Sequence, residues 1–464
     1  SFRDTARVTP TAGDWVGWVG TYDDLRFGRE GQYRVRLADN TDRWDCAYPG
    51  VEVLPDGTMV TTTYGHWLTN EPPYVISVRF QLAELDTKLA AGAVIPGRPP
   101  GVVVAHSPAR TRQYLGSPSL LARAGGGLLA SHDFFGPGSS ADVVHVHGSD
   151  DGGATWHRLS ETRGFWCSLF EHQGAVYLLG SDRQDGLVMI RRSTDGARTW
   201  TDPVSADRGR LRTTGRFHGA PTPVVEHRGR LWRGMEDLGG TGGWAAYFRS
   251  FMLSVPVDAD LLVATNWTFS TPLARDPGWL GGRFGGWLEG NAVVGPDGAL
   301  VNLLRVDYRD PDEKAARIHM NPDGVTARFD PSGDVFSFPG GCKKFCVRAD
   351  PRGGGYWALA NWIPPSQRGR SVERTRNTLA LLYSKDLLQW EVRCVLLHHP
   401  DREKHGFQYA DFQIVGEDLL GLVRTAFADE EGGAPQAHDA NFITFHRWPD
   451  FRRLSRREDV VPGL

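Results

Sequence analysis

The chain has 464 residues, a net charge of −3, and 56 glycines and 16 tryptophans against 5 methionines. That balance excludes the basic footprint of a nucleic-acid binder, and with no apolar run of about 18 residues no helical segment is expected to span or insert into a membrane. Glycine and aromatic richness favours many short strands and tight turns, so the expected fold class is all-β.

Residues 1–45 carry Trp15, Trp18, Tyr22 and a strand-like run from Gln32 to Leu37, and read as a segment that caps or closes the fold. The opening Ser1-Phe2-Arg3-Asp4 does not read as a secretory leader. From there one phrase returns seven times: an apolar strand, a turn such as Pro-Asp-Gly, a second apolar strand, a longer connection and a third strand. The copies begin near Val51, Ser117, Trp166, Pro221, Ala292, Phe345 and Asp411. Repeats of roughly 40 to 65 residues predict a β-propeller of four-stranded blades, seven-bladed, or six-bladed if two weak copies share a sheet. Pro-rich and polar stretches such as residues 91–100 and 430–435 read as loops between strands, so 1–464 is taken as a single domain.

Two copies end in a shared turn, Ser149-Asp150-Asp151-Gly152-Gly153-Ala154-Thr155-Trp156 and Ser193-Thr194-Asp195-Gly196-Ala197-Arg198-Thr199-Trp200. The Asp is suited to accept local backbone N–H bonds, Gly to take the turn dihedral, and Trp to pack beneath the strands. A weaker copy runs from Ser384 to Trp390. The five cysteines, Cys46, Cys167, Cys342, Cys346 and Cys394, have neither a disulfide framework's number nor zinc-site spacing, and read as packing residues.

In a propeller blade the first strand starts, and the second ends, on one face near the axis. First-strand starts offer Arg112, Trp166, His218, Glu289, Lys344 and Tyr409; second-strand ends offer His66, His132, Asp133, Glu236, Arg305, Asn361 and Arg424. His, Arg, Tyr and acids converging there suit an acidic sugar. Trp67 and Trp166, with Trp232, Trp244, Trp279 and Trp287, are candidates to stack on sugar rings or simply to pack.

The Ser-x-Asp turn resembles the Asp-box of sialidases and related BNR-repeat propellers, and the resemblance sharpens farther along. Leu288-Glu289-Gly290-Asn291 through Arg305 is similar to the sialidase segment in which a glutamate opens one strand and an arginine closes the next. The run Arg376 to Tyr383 resembles the strand bearing another carboxylate-binding arginine, and Gln408-Tyr409-Ala410-Asp411-Phe412 resembles the segment of the tyrosine nucleophile. The resemblance implies Tyr409 as nucleophile, Glu289 as its base, and Arg305 and Arg376 as a carboxylate clamp. His66 or Asp133 stands as acid/base, with His132 and His218 as further catalytic candidates; Arg112, Lys344, Glu236, Trp67 and Trp166 are candidates for substrate binding. Two features depart from the family pattern: Ala47-Tyr48-Pro49 stands where sialidases open with Arg-Ile-Pro, and Tyr64-Gly65-His66-Trp67 stands near the expected acid/base Asp.

The reading is a sialidase-like glycosidase, exo-acting, that cleaves a sialic or uronic acid residue from a glycan, with extracellular or periplasmic location. One alternative is a polysaccharide lyase in which Arg neutralises a uronate while His or Tyr removes the C5 proton. Another is a non-catalytic glycan-binding propeller. No cofactor is called for. The acidic run from Asp307 to Glu313 would suit structural calcium but reads as a solvated turn, and His66, His132 and His218 would suit a transition metal if they converged.

Overall fold

Where two apolar runs flank Asp-Gly, the chain folds back on itself. Leu54 N–H donates to the Thr58 carbonyl at 2.8 Å and Gly295 N–H to the Ala299 carbonyl at 2.8 Å, with Gly57 and Gly298 in the left-handed region at φ 82° and 75°. The computed structural model describes all residues except 6–10, 27–31, 42–44, 47, 69–70, 91–97, 309, 311, 370 and 455–464. Ala47, Arg309, Pro311 and most of the predicted loop at 91–100 therefore lie outside the described residues, as do parts of the predicted cap.

The single domain expected over 1–464 is seen as two compact units. The first comprises Ser1–Pro100, Pro108–Arg110 and Phe427–Ala434; the second comprises Gly101–Ser107, Thr111–Ala426 and Pro435–Leu464. The first unit holds two antiparallel sheets of three strands: Phe2–Arg3, Trp15–Val19 and Tyr33–Ala38, then Gly50–Val53, Met59–Gly65 and Tyr74–Phe80. The repeat beginning at Val51 is the latter sheet.

The other six repeats each become one sheet of the second unit. The first sheet is built on Ser119–Ala122, Leu128–Phe135, Val143–Ser149 and His157–Arg163, and the second on Phe165–His172, Ala175–Ser181 and Val188–Ser193. The third is built on Val225–His227, Arg230–Asp237, Arg249–Pro256 and Thr268–Phe269, with Phe217–His218 also paired to its second strand. The fourth centres on Trp287–Val294, Leu300–Val306 and Lys314–Met320. Cys346–Ala349, Tyr356–Ala360, Thr378–Ser384 and Glu391–His398 form the fifth. The sixth takes Gly406–Val415, Asp418–Ala426 and Phe442–Trp448, and its fourth strand is Val102–His106, from the beginning of this unit.

Apolar side chains fill the space between consecutive sheets. Val146 and Leu178 belong to the core joining the first and second sheets, Ile190 and Leu253 to the next, and Leu303 and Leu382 to the one joining the fourth and fifth. Leu120, Leu422 and Ile443 join the sixth sheet back to the first. Each such side chain, fully buried, contributes about 1.5–3 kcal/mol.

The Ser-x-Asp turns form as their residues dictate. Asp151 accepts from Thr155 N–H at 2.9 Å and Thr155 Oγ1 at 2.6 Å, and Asp195 repeats both bonds with Thr199. These bonds hold the Asp151 carboxyl low, at about 2. Gly153 is needed by its copy, because a Cβ there would meet the Phe445 ring at 2.1 Å; its counterpart Ala197 takes the left-handed φ of 71° without glycine. All five cysteines are buried and free, as packing residues would be. Among the described residues no helix is long and apolar enough to cross a membrane.

Candidate active site

Three of the six sheets carry the same irregularity in their first strand. Register slips between Phe165 and Ser168, between Leu288 and Asn291, and between Gln408 and Asp411, so that two residues face one on the neighbouring strand. Trp166, Glu289 and Tyr409 sit at these bulges with φ of 51°, 57° and 53°. A β-bulge re-aims a side chain, and a non-glycine residue in the left-handed region costs on the order of 1–3 kcal/mol that surrounding structure must offset.

The offsetting contacts come from neighbouring sheets. Asp133 accepts the Trp166 N–H at 2.7 Å and Ser117 N–H at 2.8 Å, so the main chain engages both its oxygens. Gly116 leaves room for it, since a Cβ there would fall 1.6 Å from Asp133 Oδ1. Glu236, fully buried, accepts Gly290 N–H at 3.3 Å and contacts His218 Nδ1 at 2.9 Å. Lys344 Nζ, also buried, donates to the Ala410 carbonyl at 2.7 Å and the Tyr409 carbonyl at 3.4 Å. Gly290 has its own steric reason: a Cβ would meet Asn302 Oδ1 at 2.2 Å.

Two of the bulges aim their side chains at one another. Tyr409 Oη donates to Glu289 Oε1 at 3.0 Å, and Arg305 Nη1 donates to Glu289 Oε2 at 2.9 Å. Arg305 also donates through Nε to the Cys342 carbonyl at 2.9 Å. Burial works to raise the Glu289 carboxyl, but the charges of Arg305 and His218 and the bonds from Arg305 and Tyr409 outweigh it and hold the group below its ordinary value. Burial, reinforced by Glu289, raises the Tyr409 phenol. At neutral pH the pair is thus a protonated phenol on an ionised carboxylate.

Three guanidinium groups surround that pair. Arg376 lies over the Tyr409 ring at 5.9 Å and donates to Gln408 Oε1 at 2.9 Å. Arg424 lies over the same ring at 4.7 Å and over Phe135 at 4.4 Å. Burial lowers both cations, Arg376 to about 10. Tyr409, Arg305 and Arg376 open onto a cavity of about 340 Å³ whose wall also includes Trp244, Glu373, Arg374, Arg402, Glu403, Gln436 and His438.

The structure therefore brings together Tyr409, Glu289, Arg305 and Arg376 of the residues singled out in the sequence. It does not bring all the others to that cavity wall. Asp133, offered as acid/base, is held between main-chain amides and pins a bulge, because a carboxylate buried beside unsatisfied N–H groups is consumed by them. Burial raises it to about 6. Glu236 and Lys344, offered as substrate-binding, pin the other two bulges. His218 packs between Trp166 and Phe248, at ring distances of 4.5 and 4.3 Å. Trp166 is partly buried against it, and Arg112 is exposed. His66 and Trp67 belong to the first unit, where His66 approaches Asp45 at 3.4 Å and Trp67 donates to the Tyr74 carbonyl at 2.9 Å. His66, His132 and His218 form no metal-ligating group among the described residues; His132 is grouped with His145 and His147. In the acidic run, Asp310 pairs with Arg283, Asp312 with Lys314 and Glu313 with Lys343, so these three acids are matched by cations.

Sequence reasoning noted Arg424 as a strand end but left it out of the site. The signal was internal symmetry: Arg305 pairs with Leu288 just before the Glu289 bulge, and Arg424 pairs with Gln408 just before the Tyr409 bulge. Arg374, Arg402, Glu403 and His438 come from irregular connections, where periodicity carries no information.

No protein-family model and no curated protein sequence matches the chain. Among solved structures, the Hadza microbial sialidase Hz136 is similar with 14% identity and a TM-score of 0.50, over 76% of this chain and 69% of that one. The α-L-arabinanase of Penicillium chrysogenum, complexed with arabinobiose, has 14% identity and a TM-score of 0.48 over 76% and 98% of the two chains. The α-L-arabinofuranosidase Arb93A of Fusarium graminearum, complexed with an iminosugar inhibitor, has 14% identity and a TM-score of 0.49, again over 76% and 98%. The likeness to Hz136 is one of fold: this chain is an all-β protein of β-propeller type.

Proposed function

We propose that this protein is a glycosidase that releases an acidic sugar, of sialic or uronic type, from the end of a glycan, using Tyr409 as nucleophile. The observation that carries the reading is the 3.0 Å contact between the buried Glu289 carboxylate and the phenol of Tyr409, a residue on the wall of a cavity lined also by Arg305, Arg374, Arg376 and Arg402. A neutral phenol approaches an anionic sugar without charge repulsion and becomes a competent nucleophile as Glu289 takes its proton. Arg305 keeps Glu289 ionised and oriented, and Arg376 offers the substrate carboxylate a guanidinium. Trp244, half exposed and 5.9 Å from the Arg305 guanidinium, offers an aromatic face to the sugar ring. Glu373, Glu403 and His438 are the candidate donors of a proton to the leaving oxygen. Water then releases the sugar from Tyr409, with proton transfers reversed.

We infer six blades for the ring, one for each sheet of the second unit, because each packs on the next and the sixth packs on the first. A glycan substrate fits an extracellular or periplasmic protein.

The test is a screen of the full chain on fluorogenic sialosides, uronides and neutral arabinosides, with Tyr409→Phe and Glu289→Ala alongside. Turnover of an acidic glycoside that both variants abolish supports the reading. Turnover unchanged in both overturns the assignment, release of a 4,5-unsaturated uronate replaces hydrolysis by elimination, and glycan binding without turnover makes the protein a recognition module.

A further inference from the structure

Away from the Tyr409 cavity, the first sheet carries three histidines on one face. Strands Leu128–Phe135 and Val143–Ser149 pair antiparallel with His132 opposite His145 and Ala130 opposite His147. Alternate residues of a strand share a face, so His145 and His147 project together and His132 meets them from across the ladder. Ring centres lie 5.6 Å apart for His132 and His145, 5.4 Å for His132 and His147, and 6.2 Å for His145 and His147. One ligand nitrogen from each falls within 4.8 Å of the others.

We propose that His132, His145 and His147 form a binding site for a divalent transition-metal ion of the zinc type. Nε2 of His132 and of His147 are both buried and make no hydrogen bond among the described residues. A histidine cluster serving only to pack would leave two buried polar atoms unsatisfied, each costing about 1–3 kcal/mol, which a metal would recover. His132 Nδ1 lies 3.2 Å from the Asp133 carbonyl, the arrangement in which a backbone oxygen holds Nδ1–H and turns the Nε2 lone pair toward an ion. Burial, followed by the neighbouring imidazoles, keeps His132 and His147 neutral, the latter at about 4; burial also lowers His145.

Tetrahedral zinc with Zn–N of about 2.0–2.1 Å holds its nitrogens roughly 3.4 Å apart, so rotations that bring each ring about 1 Å inward complete the set. His145 is partly exposed and gives the ion a way in. Glu161 Oε2, 3.0 Å from His145 Nε2, is a carboxylate placed to serve as fourth ligand. Arg158 Nη1, 3.4 Å from His145 Nε2, would oppose an ion there, but its side chain is 56% exposed and pairs with Glu161 at 3.6 Å, so it has room to turn away. Imidazole ligands select zinc, cobalt, nickel or copper over calcium and magnesium. In the other His-rich group among the described residues, His399, Asp401 and His405, the members already bond one another, with His405 Nδ1 on Asp401 Oδ2 at 2.8 Å and Asp401 N–H on His399 Nδ1 at 3.1 Å.

The experiment is calorimetric titration of the tag-free, metal-stripped full chain with Zn²⁺, and optical titration with Co²⁺. One equivalent bound with Kd at or below about 1 μM, intense tetrahedral Co²⁺ bands, and a Tm that rises with Zn²⁺ are expected. His145→Gln, at the partly exposed position, should fold with its metal-free Tm unchanged while affinity falls at least ~10-fold; His147→Gln should lose affinity likewise, and His405→Gln should not. Kd weaker than about 100 μM for both ions, or tetrahedral Co²⁺ binding that survives His145→Gln and His147→Gln alike, overturns the site.

Discussion

The bulge at Trp166 and the bulges at Glu289 and Tyr409 share a backbone and differ in chemistry. In all three the first strand slips by one residue, a non-glycine side chain takes φ between 51° and 57°, and a buried ionisable group of a neighbouring sheet holds the main chain in place. In the second sheet the re-aimed side chain is an indole, stacked edge-on to His218. In the fourth and sixth sheets it is a carboxylate and a phenol, which meet under Arg305. The strained bulge is thus shared by three sheets, and the residue placed on it decides whether a sheet presents an indole or an ionisable group there.

The comparison breaks most sharply at the reactive pair. Tyr409→Phe removes one oxygen and should cut kcat by on the order of 10³-fold or more, and Glu289→Gln by about 10²–10⁴-fold, with circular dichroism and ligand binding retained. Arg376→Lys comes next: a point charge replaces the planar fork, and kcat/KM for a carboxylate-bearing glycoside should fall about 10- to 100-fold, while a neutral glycoside is indifferent. Lys344→Met tests the pin rather than the payload. Two main-chain carbonyls lose their ammonium partner, so we expect a loss of about 1–3 kcal/mol in urea unfolding together with lower kcat, because the Tyr409 bulge relaxes.

The Asp133 pin separates itself by pH. Burial raises its carboxyl to about 6, above the ordinary aspartate value of 3.8, so the folded state binds the proton more tightly. Its contribution to stability should therefore be fully present below about pH 4, decline by up to about 1.4 kcal/mol per pH unit between pH 4 and 6, and level off above. Asp133→Asn should remove that slope in pH-dependent unfolding. Trp166→Phe is expected to do least to turnover, within about 3-fold, because no titratable group rides on that bulge. A large kcat effect from it would end the contrast drawn between the three positions.

Much of the fold was legible because its signals are local. Apolar strands around Pro-Asp-Gly and the Ser-x-Asp turn announce hairpins by their own hydrogen bonding, and six of the seven repeats are sheets of the second unit. The Tyr409, Glu289, Arg305 and Arg376 set was legible through its order along the chain. What escaped depended on depth and partners. A strand-end carboxylate such as Asp133 or Glu236 looks the same in sequence whether it faces a substrate or a backbone amide, and only the bulge of the adjoining sheet distinguishes them. The His-Val-His of residues 145–147 has the period of two that puts both rings on one face, but its third member, His132, is supplied by hairpin register.

The outermost strand of the sixth sheet, Val102–His106, pairs with Phe442–Trp448, segments more than 300 residues apart in the chain. The sheet that bears Tyr409 cannot be completed until the chain's two distant stretches find one another, so Tyr409 should reach its place late, after a slow search. A polypeptide cut short of this strand would leave Phe442–Trp448 with a bare row of amides and carbonyls, a template on which further copies would stack into aggregates.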